Sequence, residues 1–154
     1  MTKLIFSTKK SALVLFAIIA GCFSLSCNRT NSNINTNSPG NEIKYVGSFT
    51  KSNITNVTKA FGSFSGTFNT TTSTLTYQFS WDSLSSNPAQ MHFHDAGPVI
   101  LQITGFPFAK DGTLSGTATF TPSQGNDLAA GSIYVMIHTL DYTSGEILAY
   151  LKKQ

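Results

Sequence analysis

Charge is scarce in this chain: 11% of its 154 residues are Asp, Glu, Lys or Arg, under half of the roughly 25% of an ordinary soluble domain. Such a sequence is not a disordered polyelectrolyte, and its 40% apolar content excludes a wholly disordered chain. Cysteine is scarcer still. The two copies, Cys22 and Cys27, both lie near the N-terminus. The remainder therefore has no disulfide framework, no thiolate zinc site and no cysteine nucleophile. Gly-rich phosphate loops are missing too. The nearest approach to a serine nucleophile elbow, Gly62-Ser63-Phe64-Ser65-Gly66, is one residue out of step. Beyond the N-terminal region no ten-residue stretch carries helical apolar spacing. Ser and Thr, with 19 and 20 copies, fill the gap left by charge. The length supports one domain with a real core.

A formal charge of +3 and a pI near 8.9 raise the question of an acidic partner. The position of the charges answers it. Lys3, Lys9 and Lys10 precede an uncharged run from Ser11 to Ser26 rich in Leu, Ile, Ala, Val and Phe. That order, basic then apolar then small, is a secretory signal. From Cys22 onward, seven basic residues face seven acidic ones, and the case for nucleic-acid binding disappears. Ile19-Ala20-Gly21-Cys22 has the form of a bacterial lipoprotein box, which makes Cys22 the favoured lipid acceptor. Cys27, after Leu25-Ser26, is the alternative. A signal anchor left uncut is a further reading, although the sixteen apolar-run residues fall short of the ~18 of a spanning helix. The expected organisation is a signal peptide over 1–21, a lipidated, flexible Asn/Ser-rich tether over 22–41, and a folded domain over 42–154. Asn28 to Asn41 holds almost no apolar side chain and cannot offset its chain entropy by burial. These features place the protein in a bacterial cell envelope, at the outer membrane or cell surface, held to the membrane through its lipid.

From Glu42 onward the apolar residues alternate. Leu75, Tyr77, Phe79 and Trp81 form one unbroken face, and Ile133, Val135 and Ile137 another. Runs at 90–95, 99–104, 115–121, 133–139 and 146–151 are separated by Gly97-Pro98, Asp111-Gly112, Ser123-Gln-Gly-Asn126 and Ser144-Gly145. Thr, Val, Ile, Tyr and Phe dominate the runs, as pleated half-buried surfaces favour. The pattern predicts an all-β fold, an antiparallel Greek-key β-sandwich of about seven or eight strands.

Three histidines concentrate the chemistry. His92 and His94 stand two apart and so project to one face of a strand, with Met91 and Phe93 on the other. His138 shares a strand face with Tyr134 and Met136. A His-x-His pair plus one His from a second strand can supply three nitrogen ligands with an open position, suited to copper or zinc. Met136, a thioether, tilts the choice toward Cu(I). Asp95 and Glu146 are candidates for an oxygen ligand or for a group that orients an imidazole from outside the ligand set. The plainer reading makes the histidines ordinary hydrogen-bonded residues and Glu146 a structural residue of a tight turn. Phe106-Pro107-Phe108 is a candidate contact patch.

His92-Phe93-His94-Asp95, the strand Val99-Ile100-Leu101, Gly131 to Thr139 (GSIYVMIHT) and Ser144-Gly145-Glu146-Ile147 together resemble the CHRD (chordin-type) domain. That family reads Ala-His-Ile-His-Gly, an apolar strand, Tyr-Val-Asn-Val-His-Thr and Gly-Glu-Ile-Arg-Gly. This chain departs from it at Met136, where Asn is usual, and at Leu148, where Arg is usual. The resemblance implies a secreted β-sandwich, in bacteria often with no assigned reaction. The two histidine strands are also similar to copper-ligand strands of copper/zinc superoxide dismutase, which implies His92, His94 and His138 as copper ligands. The bridging fourth histidine, the zinc-loop ligands and the disulfide of that enzyme have no counterpart here. The leading expectation is a metal-binding, sensing or delivery domain, copper before zinc, and not an enzyme with a catalytic residue. The alternatives are a metal-free adhesion or protein-interaction module with an extracellular protein partner, and a weak redox enzyme of dismutase type.

Overall fold

The computed structural model describes residues 40–154. The expected signal peptide, the lipid acceptors Cys22 and Cys27, and all but the last residues of the tether lie outside them. The described chain forms β1 (Glu42–Lys51), β2 (Phe61–Asn69), β3 (Thr74–Asp82), β4 (Pro88–Asp95), β5 (Val99–Ile103), β6 (Gly112–Thr119), the helix α1 (Pro122–Ala130), β7 (Ile133–Thr139), β8 (Ile147–Tyr150) and β9 (Lys152–Lys153). Every pairing is antiparallel. The order across the sheet is β5-β4-β7-β8-β1-β2-β3-β6, with β9 also on β1. β9 resumes the line of β8 after a break at Leu151, so the two act as one strand.

Two layers result. β1, β2, β3 and β6 form one, and β5, β4, β7 and β8 the other. β1 belongs to both: most of its length pairs with β2, while Thr50 and Lys51 pair with Leu148 and Ile147 of β8. This shared strand nearly closes the sheet, leaving β5 and β6 as edges. The neighbours β3–β6 and β4–β7 are not consecutive in sequence, as the expected Greek-key sandwich requires.

Alternation explains the interior. Phe64 and Tyr77 of the first layer meet Phe93 of the second edge-on, with ring centroids 6.5 and 5.2 Å apart, a favoured aromatic geometry. Phe93 also meets Phe120 at 5.8 Å. The Tyr77 ring fits only because residue 116 is glycine: a Cβ there would stand 2.7 Å from the Tyr77 hydroxyl. Trp81 is buried and donates from its indole nitrogen to the Ala109 carbonyl at 3.0 Å. Phe106 packs against the core while Phe108 stays exposed.

The body is nearly all β, as expected, and the helix α1 corrects only the reading of residues 123–126 as a turn. Thr121 caps it: its hydroxyl accepts from Gln124 N–H, and the Gln124 side chain accepts in return from Thr121 N–H. Proline follows the cap, and Gly131 ends the helix in the left-handed region at φ 78°. These are standard start and stop signals. Gly125 in its middle and a single buried residue, Leu128, left no apolar periodicity to detect.

Candidate metal centre

β4 and β7 lie side by side in the middle of the second layer. Their register sets Gln90 opposite His138, His92 opposite Met136, and His94 opposite Tyr134. Met91, Phe93, Ile133, Val135 and Ile137 enter the core, so the pleat sends His92, His94, Tyr134, Met136 and His138 to the other face. His138 is therefore the diagonal neighbour of His92, a separation that ring side chains can bridge. A bulge between Phe93 and His94 in the pairing with β5 adds local twist beside the site.

One ring nitrogen from each histidine lies within 4.8 Å of the others. The rings are almost buried, at 9%, 6% and 9% exposure for His92, His94 and His138. Their hydrogen bonds determine which nitrogens are free. His94 Nδ1 stands 2.8 Å from the Gly97 carbonyl, and His138 Nδ1 stands 2.9 Å from the Thr143 carbonyl. A carbonyl can only accept, so both Nδ1 atoms carry hydrogen, and in the neutral ring the lone pair is then on Nε2. His138 Nε2 faces His92 Nδ1 at 3.3 Å. His94 Nε2 is buried with no hydrogen-bond partner. Leaving such an acceptor unmet costs about 1–3 kcal/mol.

The same arrangement could hold a metal ion. Two nitrogens bound at 2.0–2.1 Å to one tetrahedral ion stand about 3.3 Å apart, the separation already present between His92 and His138. The three lone pairs are His92 Nδ1 (once its proton is displaced), His94 Nε2 and His138 Nε2. Burial holds the His92 pKa below the ordinary imidazole value, with the neighbouring His138 and His94 pushing the same way. Burial also lowers that of His138, against the opposing pull of the Thr143 carbonyl and with help from His94. Neutral imidazoles are the form that binds metal.

Other predicted residues fall in different places. Met136 is on the histidine face, and its thioether rests on Gly145 in the turn before β8. Asp95 follows the pleat to the side away from His94. Its carboxyl meets Asp127 of α1, and burial, followed by that neighbour, raises its pKa. Glu146 also makes no bond to an imidazole. Its carboxylate is fully buried on the core side, taking hydrogen bonds from Thr58 Oγ1, Ser85 N–H, Ser85 Oγ and Thr139 Oγ1. The groups that orient the imidazoles are thus the backbone carbonyls of Gly97 and Thr143. Sequence reasoning missed both, although Gly97 lies in the turn marked at 97–98 and Thr143 directly precedes the one marked at 144–145. Tyr134 was missed as well: its ring stacks on His94 at 4.9 Å and 3°.

The sequence profile of the CHRD domain matches residues 46–149, from β1 through most of β8. The chain belongs to the CHRD domain family. Neither a curated protein nor a solved structure matches it, and the suggested likeness to superoxide dismutase gains no support there. Within this CHRD domain the matched span contains the three histidines and both carbonyls that hold them. Among the described residues they are the one group of His, Cys, Asp or Glu gathered closely enough to hold a metal ion.

Proposed function

We propose that this CHRD domain is an envelope protein that binds a transition-metal ion at His92, His94 and His138, copper before zinc, for sensing or delivery and not for turnover. The observation that carries the reading is the unpartnered Nε2 of buried His94, beside two nitrogens already at the spacing an ion would impose. Copper is favoured by three imidazoles with a polarisable thioether, Met136, on the same face. Lipid attachment at Cys22 (Cys27 as alternative) would hold the domain at the membrane, and intact-mass analysis of the membrane form distinguishes the two.

Equilibrium dialysis of the mature protein against Cu(I), Cu(II) and Zn(II) tests the site. One copper per chain is expected, lost in His94→Ala and in His138→Ala. Absence of binding, or binding unchanged in both variants, refutes it. A second reading, a protein-interaction module, draws on Ile54, Val57, Phe61, Phe108 and Leu140. All five are exposed, and all lie on or beside loops at the end of the sandwich where β1 finishes. Loss of a partner on Val57→Ser or Phe108→Ser, with copper binding absent from the wild type, would favour that reading.

A further inference from the structure

Glu146 has no exposed surface, and all four of its hydrogen-bond donors are neutral. Burying a carboxylate without a cation is costly, so its position calls for a reason. Three of the donors come from distant segments, Thr58 before β2 and Ser85 (twice) before β4. The fourth, Thr139, directly follows His138.

The Thr139 hydroxyl joins the carboxylate to the turn over residues 139–145. It donates to Glu146 Oε2 at 2.7 Å and accepts from Tyr142 N–H at 3.2 Å. Thr139 N–H and Gly145 N–H both donate to the Tyr142 carbonyl. Asn56 Nδ2 donates to the carbonyls of Gly145 and Glu146 from outside the turn. A turn fastened this way has one orientation for the Thr143 carbonyl, and that carbonyl receives His138 Nδ1–H.

We infer that Glu146 is a positioning residue: through Thr139 and the Tyr142 amide it fixes the Thr143 carbonyl, and so holds His138 in the tautomer whose Nε2 is free for a ligand. The inference rests on the metal reading only for its purpose, because the tautomer exists without metal. Glutamine changes the network: it keeps one acceptor oxygen where the site uses two, and an amide nitrogen at the Oε2 position would donate to the Ser85 and Thr139 hydroxyls, reversing the bonds they now donate.

The test is nitrogen-resolved NMR of the histidine side chains in the metal-free mature protein, followed by copper titration. Wild type is expected to show His138 as the single Nδ1–H tautomer. Glu146→Gln, and Thr139→Val should the former not fold, should give a mixture of tautomers and copper affinity lower by about 10–100-fold. Thr139→Ser should restore both. Thr58→Val, which removes a Glu146 bond off the route to the turn, should lower stability and leave the tautomer unchanged. A folded Thr139→Val with one Nδ1–H tautomer and wild-type affinity overturns the inference. If wild type binds no copper, the metal reading fails while a tautomer shift in Glu146→Gln still upholds the role of Glu146. If Thr58→Val shifts the tautomer equally, Glu146 is a general staple and the inference fails.

Discussion

Replacing Gly145 by alanine should damage the turn for two separable reasons. The glycine sits at φ 111°, where an L side chain is strained by about 1–3 kcal/mol. Its Cβ would also overlap Met136 Sδ and stand 3.0 Å from Met136 Cγ. Moving the thioether out of a filled site adds about 1–3 kcal/mol of overpacking, less if the flexible side chain finds another rotamer. The sum, about 2–6 kcal/mol, is a large fraction of the stability of a small domain. For a domain of roughly 115 residues each kcal/mol lowers Tm by about 4 °C, so a fall of about 8–24 °C is expected by calorimetry. A double-mutant cycle separates the causes. Met136→Ala in the same chain makes room for the new methyl but cannot relieve the backbone. The double variant should therefore be more stable than the sum of the single losses by about 1–2 kcal/mol, and still less stable than Met136→Ala alone. A Gly145→Ala protein within about 2 °C of wild type would refute the strain argument, and strict additivity would refute the steric one.

Two other expectations concern the same strands. Phe93→Ala empties a fully buried site between three aromatic rings and should cost about 3–5 kcal/mol; a urea midpoint near that of wild type would show that Phe93 does not anchor β4. The second is a pH dependence. Burial lowers the pKa of His92 and His138 in the folded state, so below about pH 6.5 the unfolded chain takes up protons that the native one does not. Stability should fall between about pH 7 and about pH 5 and not rise, and the fall should shrink in His92→Gln/His138→Gln; an equal fall in that variant would assign it to other groups.

Much of the fold was legible because side-chain period and burial coincide. On β4 and β7 the alternation of Met91, Phe93, Ile133, Val135 and Ile137 separates core from histidine face without any knowledge of pairing. What the pattern could not give was the diagonal meeting of His92 with His138, which depends on register between strands some forty residues apart. The helix escaped because nine residues with one buried side chain carry no period, although Thr121-Pro122 and Gln124 spelled a capping box. The orienting groups escaped for a different reason. Carbonyls of Gly97 and Thr143 leave no trace in side-chain chemistry. For Glu146 the sequence allows both an imidazole-orienting role and a structural one in a tight turn; the turn before β8 delivers it to the opposite side of the sheet, in the structural role.

In β4, every position from Met91 to His94 is committed, alternately to the core and to the centre. A slip of one residue against β7 would expose Phe93 and drive two imidazoles among aromatic rings. A chain that folds with Phe93 inside has thereby sent both imidazoles of β4 to the outer face. Closing the core and turning the histidines to one side are a single event.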